Sequence, residues 1–333
     1  MKKILSLLTI LMVVVSCHHQ DELEKIQLKG KTQRTYYSII YYDRLKREFT
    51  FQVDSILKEV DKSVSLWDSA SIISRINRND TAARIDHYFR EIYEKAFSIA
   101  GKTNGAFDFT VGPLVNAWGF WRNLRVQLDS AKVDSLRKLV NFRAVSIRGD
   151  RLIKRDPGMQ LDFNAIAQGY SVDLLASFLE SRGIRNFLVD IGGEVYAKGH
   201  KSNREPWLVG IENPARDSTS RPSVNAQVRL HNMALSTSGS YRKYFEENGI
   251  RYSHTIDPAT GYPVRHSLLS VSVLAHNCAI ADGYATAFMV MGLEKAKDFL
   301  EKHKELEAYF IYSSNDGTYR VNATKGFRKV IEE

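Results

Sequence analysis

The spacing of apolar residues predicts two amphipathic helices in the first third of the chain. Between Arg47 and Trp67, apolar side chains recur every three or four positions, which places them on one helix face. Residues 87–101 repeat this pattern, which stops at Gly101. The stripes consist of Val53, Ile56, Leu57 and Val60 in the first helix and Phe89, Ile92, Tyr93, Ala96 and Ile99 in the second.

Strand-like segments occur throughout the chain and gather in its second half. They are short runs rich in β-branched and aromatic residues, among them TYYSIIY, WLVGIEN, NMALSTSG and SLLSVSVLA. Gly192-Gly193 separates two such runs, and Asn248-Gly249 predicts a hairpin. Helices inserted between groups of strands, several of them antiparallel, favour an α+β fold with largely antiparallel sheets and helices packed between and over them.

The first residues have the features of an export signal. Lys2 and Lys3 precede an apolar run that is too short to span a bilayer as a mature helix. The residues VVSC that end at Cys17 match the pattern of a bacterial lipoprotein signal, in which Cys17 is acylated. A plain secretory signal or an uncleaved anchor is the alternative.

These features divide the chain into three parts. We predict a signal peptide over residues 1–16, a lipidated polar tether over 17–32 and a single folded domain over 33–333. The corresponding location is the bacterial cell envelope, with the lipid anchor most consistent with the periplasmic face of the inner membrane.

Composition and charge narrow the class of protein. With 333 residues, 44% of them hydrophobic, the chain can bury a large core. Removal of residues 1–16 takes away Lys2 and Lys3 and lowers the formal net charge from +9 to +7. The basic residues are dispersed and not clustered with aromatic ones, so nucleic acid binding is not expected. Cys278 is then the only cysteine besides Cys17, and we interpret it as a core residue.

Residues 278–292, CAIADGYATAFMVMG, predict a helix that is buried on most of its circumference. Asp282 and Thr286 are four positions apart and therefore emerge from the same face. A carboxylate and a hydroxyl are the hard oxygen ligands that Mg²⁺ uses when substrate phosphates and water complete its octahedron. The alternative is structural: Asp282 caps a helix or pairs with an arginine, and Thr286 bonds back to a carbonyl of its own helix.

Two common phosphate-binding motifs are not present. Gly101-Lys102-Thr103 resembles the end of a P-loop, but Ala96 stands where the first glycine is required, and a helix precedes it in place of a strand. The Gly-x-Gly-x-x-Gly pattern of a Rossmann unit is absent from the sequence.

Six motifs together resemble the ApbE-type FAD:protein FMN transferases over essentially the whole exported chain. In order they are SLWDSASIISRIN, TNGAFDFTVGPLVNAWGF, LDFNAIAQGYSVD, LVDIGGEVYAKG, HTIDPATGYPV and AIADGYATAFMVMG. The resemblance implies a T-fold-like α+β protein that binds FAD and Mg²⁺. It also implies an activity, the transfer of FMN from FAD to a Thr or Ser hydroxyl of an acceptor protein, with release of AMP.

The resemblance also assigns roles to individual residues. Asp282 and Thr286 look like side-chain ligands of Mg²⁺, with the backbone carbonyl of Ala165 as a third, and His254 looks like the base that deprotonates the acceptor hydroxyl. The positions that correspond to FAD-binding residues of the family are Trp67, Ala106, Phe107, Asp108, Asp162, Gln168, Thr255 and Ala285.

Some of these positions depart from the family pattern. Gln168 replaces a lysine, Ala285 replaces an acidic residue, Gln33 stands where methionine is frequent, and Trp67 replaces a flavin-stacking tyrosine. Loss of one cation near a diphosphate costs about 1–3 kcal/mol of binding free energy. The changes therefore affect the predicted affinity for FAD more than the predicted type of reaction.

The resemblance further implies an acceptor with a Ser/Thr-Gly-Ala-Ser/Thr motif, such as a subunit of a membrane redox complex. Ser238-Gly239-Ser240 lacks the alanine and the upstream acid of that motif, so we predict that the protein does not flavinylate itself. Two other functions are compatible with the same residues: an FAD pyrophosphatase with water as the nucleophile, and a flavin-binding lipoprotein without catalysis.

Overall fold

An eight-stranded antiparallel sheet forms the centre of the computed structural model, which describes residues 23–120, 128–214, 223–240, 244–247, 250–253, 255–314 and 316–332. The strand order is β1-β2-β5-β6-β9-β12-β13-β14. The bounds are β1 Glu24–Thr32, β2 Thr35–Asp43, β5 Phe187–Ile191, β6 Glu194–Lys198, β9 Met233–Gly239, β12 Leu268–Ala275, β13 Glu307–Ser313 and β14 Tyr319–Ala323.

Each face of this sheet covers a separate hydrophobic core. In β2 the alternate residues Tyr37, Ile39 and Tyr41 lie in the larger core, whereas Ile40 and Tyr42 belong to the smaller one. This alternation is the two-residue period of a strand. Both faces of the central strands are therefore buried, and the rest of the fold consists of the layers that cover them.

Helices cover one face and a small sheet covers the other. The helices are α1 Thr50–Val64, α2 Ile72–Asn77, α3 His87–Lys102, α4 Gly112–Ala117, α5 Ser130–Arg137, α6 Ala167–Ser181, α7 Cys278–Met291, α8 Leu293–Lys302 and α9 Lys325–Arg328. The larger core includes residues of α1, α3, α6 and α7. The smaller core lies under β7 Trp207–Glu212, β8 Val224–Leu230 and β15 Ile331–Glu332, which form a three-stranded sheet.

Two hairpins complete the described structure. Strands β3 Val145–Arg148 and β4 Arg151–Lys154 pair with each other, as do β10 Tyr244–Glu247 and β11 Ile250–Ser253. The hairpin predicted from Asn248-Gly249 is confirmed by the pairing of the two strands on either side of it. The two predicted amphipathic helices are also confirmed, since Val53, Leu57 and Val60 of α1 and the apolar stripe of α3 are buried.

The predicted tether is too long. Residues 24–32 were assigned to a polar tether, but they form β1, which pairs with β2 over its whole length from Glu24 opposite Asp43 to Thr32 opposite Thr35. Leu28 and Thr32 are buried on one side of this strand. The folded part thus begins before Gln33, and Cys17 lies outside the described residues. Within those residues, the helices are too short or too polar to cross a membrane.

Helices α6 and α7 approach each other closely at Gly169. A Cβ atom at this position would lie 2.5 Å from the carbonyl oxygen of Cys278 and 2.8 Å from the amide nitrogen of Ala279. Both are backbone atoms of α7, so they cannot move aside as a flexible side chain could. Only glycine therefore permits this distance between the two helices.

We predict that Gly169→Ala destabilises the protein by about 2 kcal/mol or more, because the new methyl group must push two backbones apart. Gly101→Ala is the matched control: it also lies in a helix, but its Cβ would meet nothing within 4 Å. That substitution should stabilise the protein by about 0.5–1 kcal/mol. Urea unfolding of both variants measures the difference, and equal stability would contradict the close contact.

Candidate functional site

Helix α7 is held at its first turn by a carboxylate from α6. The side chain of Asn277, which precedes α7, makes no capping hydrogen bond to a described residue. Asp173 accepts hydrogen bonds instead from the backbone N–H groups of Cys278 (2.7 Å) and Ala279 (3.0 Å). Burial raises the pKa of Asp173 to about 6, although these two N–H groups favour its charged form. The cap fixes the start of the helix that carries Asp282 and Thr286.

Asp282 is a buried carboxylate, with 6% of its surface exposed. It accepts a hydrogen bond from the N–H of Gly169 in the first turn of α6, at 3.1 Å. Burial raises the pKa of Asp282 to about 7; the N–H of Gly169 opposes this shift and the charge of Asp173 adds to it. In the part of the chain that is described, neither an arginine nor a lysine forms an ion pair with it. A buried carboxylate with a strongly shifted pKa is typical of a functional site.

Thr286 contacts a hydroxyl on the neighbouring strand. Its Oγ1 lies 3.3 Å from Oγ of Ser238 in β9, and either atom can be the donor. In the sequence, Ser238 stands out only as part of a poor match to the flavinylation motif, and its contact with Thr286 is not predicted. The serines at alternate positions of β9 suggested nothing by themselves, because their role depends on the helix that covers the strand.

The first turn of α6 lies next to Asp282. Ala165 is half-buried and precedes α6 by two residues, and Gln168 is the neighbour of Gly169. A Cβ on Gly192, in the turn between β5 and β6, would lie 3.2 Å from Nε2 of Gln168. Of the predicted ligand positions, Gln168 lies in the turn of α6 that contacts Asp282, Ala165 lies two residues before that helix, and Thr286 lies one turn beyond Asp282 on α7.

A second group of predicted residues surrounds the loop 106–111. The N–H of Asp162 donates to the carbonyl of Phe109 at 2.8 Å, and Val111 pairs with Gln160, so the two segments run side by side. Asp108 accepts hydrogen bonds from both the N–H and the hydroxyl of Thr110 and from the N–H of Phe142. Burial raises the pKa of Asp108. Its carboxylate therefore holds the loop in shape.

The remaining positions of this group differ in accessibility. Asp162 is half-buried and accepts a hydrogen bond from the N–H of Asn164 at 2.8 Å; burial raises its pKa. Ala106 is half-buried, whereas Phe107 packs into the larger core. Ala285 is completely buried in the same core. The side chains of Phe107 and Ala285 thus pack in the core, and the assignment of the two positions to FAD binding stays a prediction.

Thr255 begins a turn that docks on α4 and α5. Gly261, with φ of +80°, donates its N–H to the carbonyl of Asp257, and its own carbonyl accepts from the indole N–H of Trp118 at 2.9 Å. Ile256 packs in one buried cluster with Leu114 and Val133. These contacts fix the turn that follows Thr255 against α4 and α5. His254, one residue earlier, lies outside the described residues.

Trp67 lies beyond the end of α1, and 43% of its surface is exposed. The guanidinium of Arg34, in the turn between β1 and β2, lies over its ring at 4.1 Å from the centroid. Gln33 in the same turn donates from Nε2 to the hydroxyl of Ser171 in α6 at 2.7 Å. The turn therefore connects the exposed indole to the helix that contacts Asp282.

The oxygen atoms at the start of α6 and on α7 suit a hard cation. Asp282 offers a carboxylate, Thr286 a hydroxyl and Ala165 a backbone carbonyl, the donor types that Mg²⁺ prefers. The described part of the chain has no cluster of three or more His, Cys, Asp or Glu side chains that could hold a metal ion. These donors would form at most a partial site for such a cation.

The sequence profile of the ApbE family matches residues 34–310. The chain belongs to that family. The chain is 33% identical to an FAD:protein FMN transferase of Vibrio cholerae over the whole length of both proteins, and 34% identical to one of Haemophilus influenzae over 100% of this chain and 99% of that protein.

Solved structures of ApbE proteins have the same fold. A flavin transferase ApbE from Vibrio cholerae superposes with a TM-score of 0.82 at 33% identity, covering 92% of this chain and 99% of that one. An ApbE protein from Thermotoga maritima gives a TM-score of 0.80 at 26% identity, covering 93% and 100%. The predicted family, the predicted fold class and the prediction of a transferase are confirmed.

The raised pKa of Asp61 in α1 predicts how the stability of the protein depends on pH. Burial raises the pKa of Asp61 from 3.8 to about 6, with a further contribution from the charge of Asp68. Because the pKa is higher in the folded state, the contribution of this group to stability is complete below about pH 4 and is lost as the pH rises through about 6.

We therefore expect Asp61→Asn to gain stability relative to the wild-type protein between pH 4.5 and 7.5. The gain should be at most about 1 kcal/mol, since solvent screens a half-exposed carboxylate. Urea unfolding at several pH values measures it. Asp298→Asn, at an exposed position of α8, should have the same stability as the wild-type protein at each pH. If the stability of Asp61→Asn changed with pH in parallel with that of the wild-type protein, the raised pKa of Asp61 would be contradicted.

Proposed function

We propose that this protein transfers FMN from FAD to a Thr or Ser hydroxyl of an acceptor protein in a Mg²⁺-dependent reaction that releases AMP. The observation that carries the proposal is the buried carboxylate of Asp282, one helical turn from Thr286, at the contact between α6 and α7. Relatives that match over their whole length are named FAD:protein FMN transferases, which supports the same reaction.

The partial set of oxygen donors fits a substrate that brings its own. Asp282, Thr286 and the carbonyl of Ala165 would hold Mg²⁺, and the diphosphate of FAD would complete the coordination. When bound, the metal would neutralise the charge that develops on the phosphate oxygens. Gln168 would add a neutral hydrogen bond where the family has a lysine, so this chain would bind the diphosphate with one positive charge fewer.

The reaction forms one phosphorus–oxygen bond and breaks another. The acceptor hydroxyl attacks the phosphorus on the flavin side, and the bond between that phosphorus and the bridging oxygen breaks, so that AMP leaves with the bridging oxygen. His254 would take the proton of the hydroxyl, a task suited to an imidazole near pH 7. Trp67 would stack on the flavin ring. Thr255 and the loop 106–108 would contact the rest of FAD.

One assay tests this function against its alternatives. The purified protein is incubated with FAD and Mg²⁺, with and without an acceptor that carries the Ser/Thr-Gly-Ala-Ser/Thr motif. We expect fluorescent flavin on the acceptor band of a denaturing gel and no flavin on the band of the protein itself. The amount of AMP released should equal the amount of flavin bound to the acceptor. Free FMN and AMP without labelled acceptor would identify a pyrophosphatase, and unchanged FAD would identify a binding protein. Either result would reject the proposal.

Substitution of Asp282 and of Thr286 on α7 should affect the transfer rate differently. Asp282→Ala removes the charge that holds the metal, so transfer should fall to background at any Mg²⁺ concentration. Thr286→Ala removes a neutral ligand that water can replace, so about tenfold more Mg²⁺ should restore much of the rate. A factor of about ten corresponds to the loss of one hydrogen bond or ligand contact. Mg²⁺ titrations of the transfer rate measure both effects. Asp298→Ala on the surface of α8 serves as the control and should behave as the wild-type protein.

The proposed location is the periplasmic face of the inner membrane, through a lipid on Cys17. What supports it is the residue pattern before Cys17. The acceptor would then be a protein on the same side of the membrane, such as a subunit of a membrane redox complex.

We expect Cys17→Ser to release the protein from membranes while transfer to a soluble acceptor stays unchanged, because the substitution removes the lipid and leaves the folded part intact. Membrane fractionation with an immunoblot measures the first effect and the gel assay measures the second. A Cys17→Ser protein that remains wholly in the membrane fraction would rule out the lipid anchor.

A further inference from the structure

The two most exposed large apolar side chains that the structure describes lie in one short segment. Phe51, in the first turn of α1, has 82% of its surface exposed, and Leu45, in the turn between β2 and α1, has 71%. The other large apolar side chains described have at most 54% of their surface exposed. Exposed apolar groups gathered at one place are typical of a surface that binds a partner.

The segment that carries these two side chains is held firmly on the domain. Asp43 accepts hydrogen bonds from the backbone N–H of Arg47 at 3.0 Å and from Nε of its guanidinium at 2.8 Å. The hydroxyl of Tyr41 donates to the carbonyl of Arg47 at 2.6 Å, and the ring of Phe49 stacks on that of Tyr41 in the larger core. The fold therefore keeps this apolar pair at the surface in a fixed place.

This segment lies at the opposite end of α6 from the candidate site. The N–H of Gly169, in the first turn of α6, is bonded to Asp282. Arg182 follows the last turn of α6, and its carbonyl accepts a hydrogen bond from the guanidinium of Arg47 at 3.0 Å. A helix that runs from Gly169 to Arg182 covers about 20 Å. The exposed pair is thus well separated from the residues proposed to bind FAD.

The same end of the molecule has a basic excess. Residues 43–48, 180–186 and 198–205 meet there, since Arg47 bonds to the carbonyl of Arg182 and Lys198 forms an ion pair with Glu180 at 2.6 Å. These three segments contain eight Arg or Lys residues against four Asp or Glu residues, and Glu24 at the start of β1 adds a fifth acid. An end face with a positive balance attracts an anionic surface.

The start of the described chain indicates which surface this is. Leu23 and Glu24 enter the fold at this end, because Glu24 pairs with Asp43 and forms an ion pair with Lys46 at 2.5 Å. Six peptide steps connect Leu23 to Cys17, and they span at most about 20 Å when fully extended. A lipid on Cys17 would therefore keep this end of the molecule close to the bilayer.

We propose that Leu45, Phe51 and the basic residues around them dock this end of the molecule on anionic lipid headgroups of the bilayer that holds Cys17. The choice of a membrane as partner rests on the proposed lipid anchor. Leu45 and Phe51 enter the boundary between headgroups and acyl chains, and the Arg and Lys side chains contact lipid phosphates. The candidate site then lies about 20 Å or more above the headgroups, at the height where an acceptor hydroxyl must be presented.

The docking surface orients the protein, and the lipid retains it. The screening length of charges falls from about 30 Å at 0.01 M salt to about 8 Å at 0.15 M. Docking without the lipid is therefore weak at physiological salt, and Cys17→Ser is still released from membranes in cells. At low salt the same variant should bind anionic vesicles by itself.

Sedimentation of the exported Cys17→Ser chain with lipid vesicles tests the proposal without any turnover. At about 0.01 M salt it should bind vesicles that contain phosphatidylglycerol at least tenfold more tightly than vesicles of phosphatidylcholine alone. Adding Leu45→Ser and Phe51→Ser should weaken binding at least tenfold, because two apolar side chains no longer enter the bilayer. Val321→Ser, at an exposed position of β14, is the matched control and should bind as the Cys17→Ser chain does.

A fluorescent residue tests insertion directly. Phe51→Trp in the same chain should be quenched by brominated lipids when vesicles are added, whereas Val321→Trp should show no quenching beyond that of the unsubstituted chain. The variant with serine at both positions should transfer FMN to a soluble acceptor at the wild-type rate, since the surface is remote from the site.

Four results would overturn the docking surface. They are no binding to anionic vesicles at low salt, equal binding to both kinds of vesicle, binding that persists in the double serine variant, and a dimer in sedimentation velocity that this variant loses while vesicles are not bound. The last result would assign the surface to a second copy of the chain. Failure of the gel assay with intact vesicle binding would instead reject the transfer reaction alone.

Discussion

The candidate site depends on the close approach of two helix backbones at Gly169. Gly169 and Asp173 are one turn apart on α6 and face α7 together. The N–H of Gly169 binds Asp282, and the carboxylate of Asp173 binds the first two N–H groups of α7. Hydrogen bonds at these two positions fix both the axial position and the rotation of α7 relative to α6. The position of Thr286 follows, since it lies one turn beyond Asp282.

This contact also concentrates negative charge in a buried place. Burial raises the pKa of both Asp173 and Asp282, because a charged carboxylate loses its water there. Asp173 is offset by two backbone N–H groups, whereas Asp282 receives only one. A cation at Asp282 would remove the imbalance, and the few other oxygen donors nearby leave coordination positions for a phosphate-bearing substrate. Metal binding would then depend on substrate binding.

Particular elements show how far sequence reasoning reached. The apolar stripe of α3 and the hairpin around residues 248–249 were predicted correctly, because periodicity and turn chemistry are local properties. β1 was mistaken for a tether: EKIQLKGKT is mostly polar, and it is a strand at the sheet edge with one buried face. Asp173 was missed, since the N–H groups that it caps are 105 and 106 residues away in the chain.

The sequence by itself determined the family and the class of fold. It also determined that Asp282 and Thr286 share one helix face, because a spacing of four on a helix places two side chains on the same face whatever surrounds it. Only the tertiary structure decided what each candidate side chain contacts. It committed the carboxylate of Asp108 to the loop, placed Ala285 in the core and oriented the amide of Gln33. The partners in these interactions come from distant segments, and only the packing of helices on the sheet brings such segments within hydrogen-bonding distance.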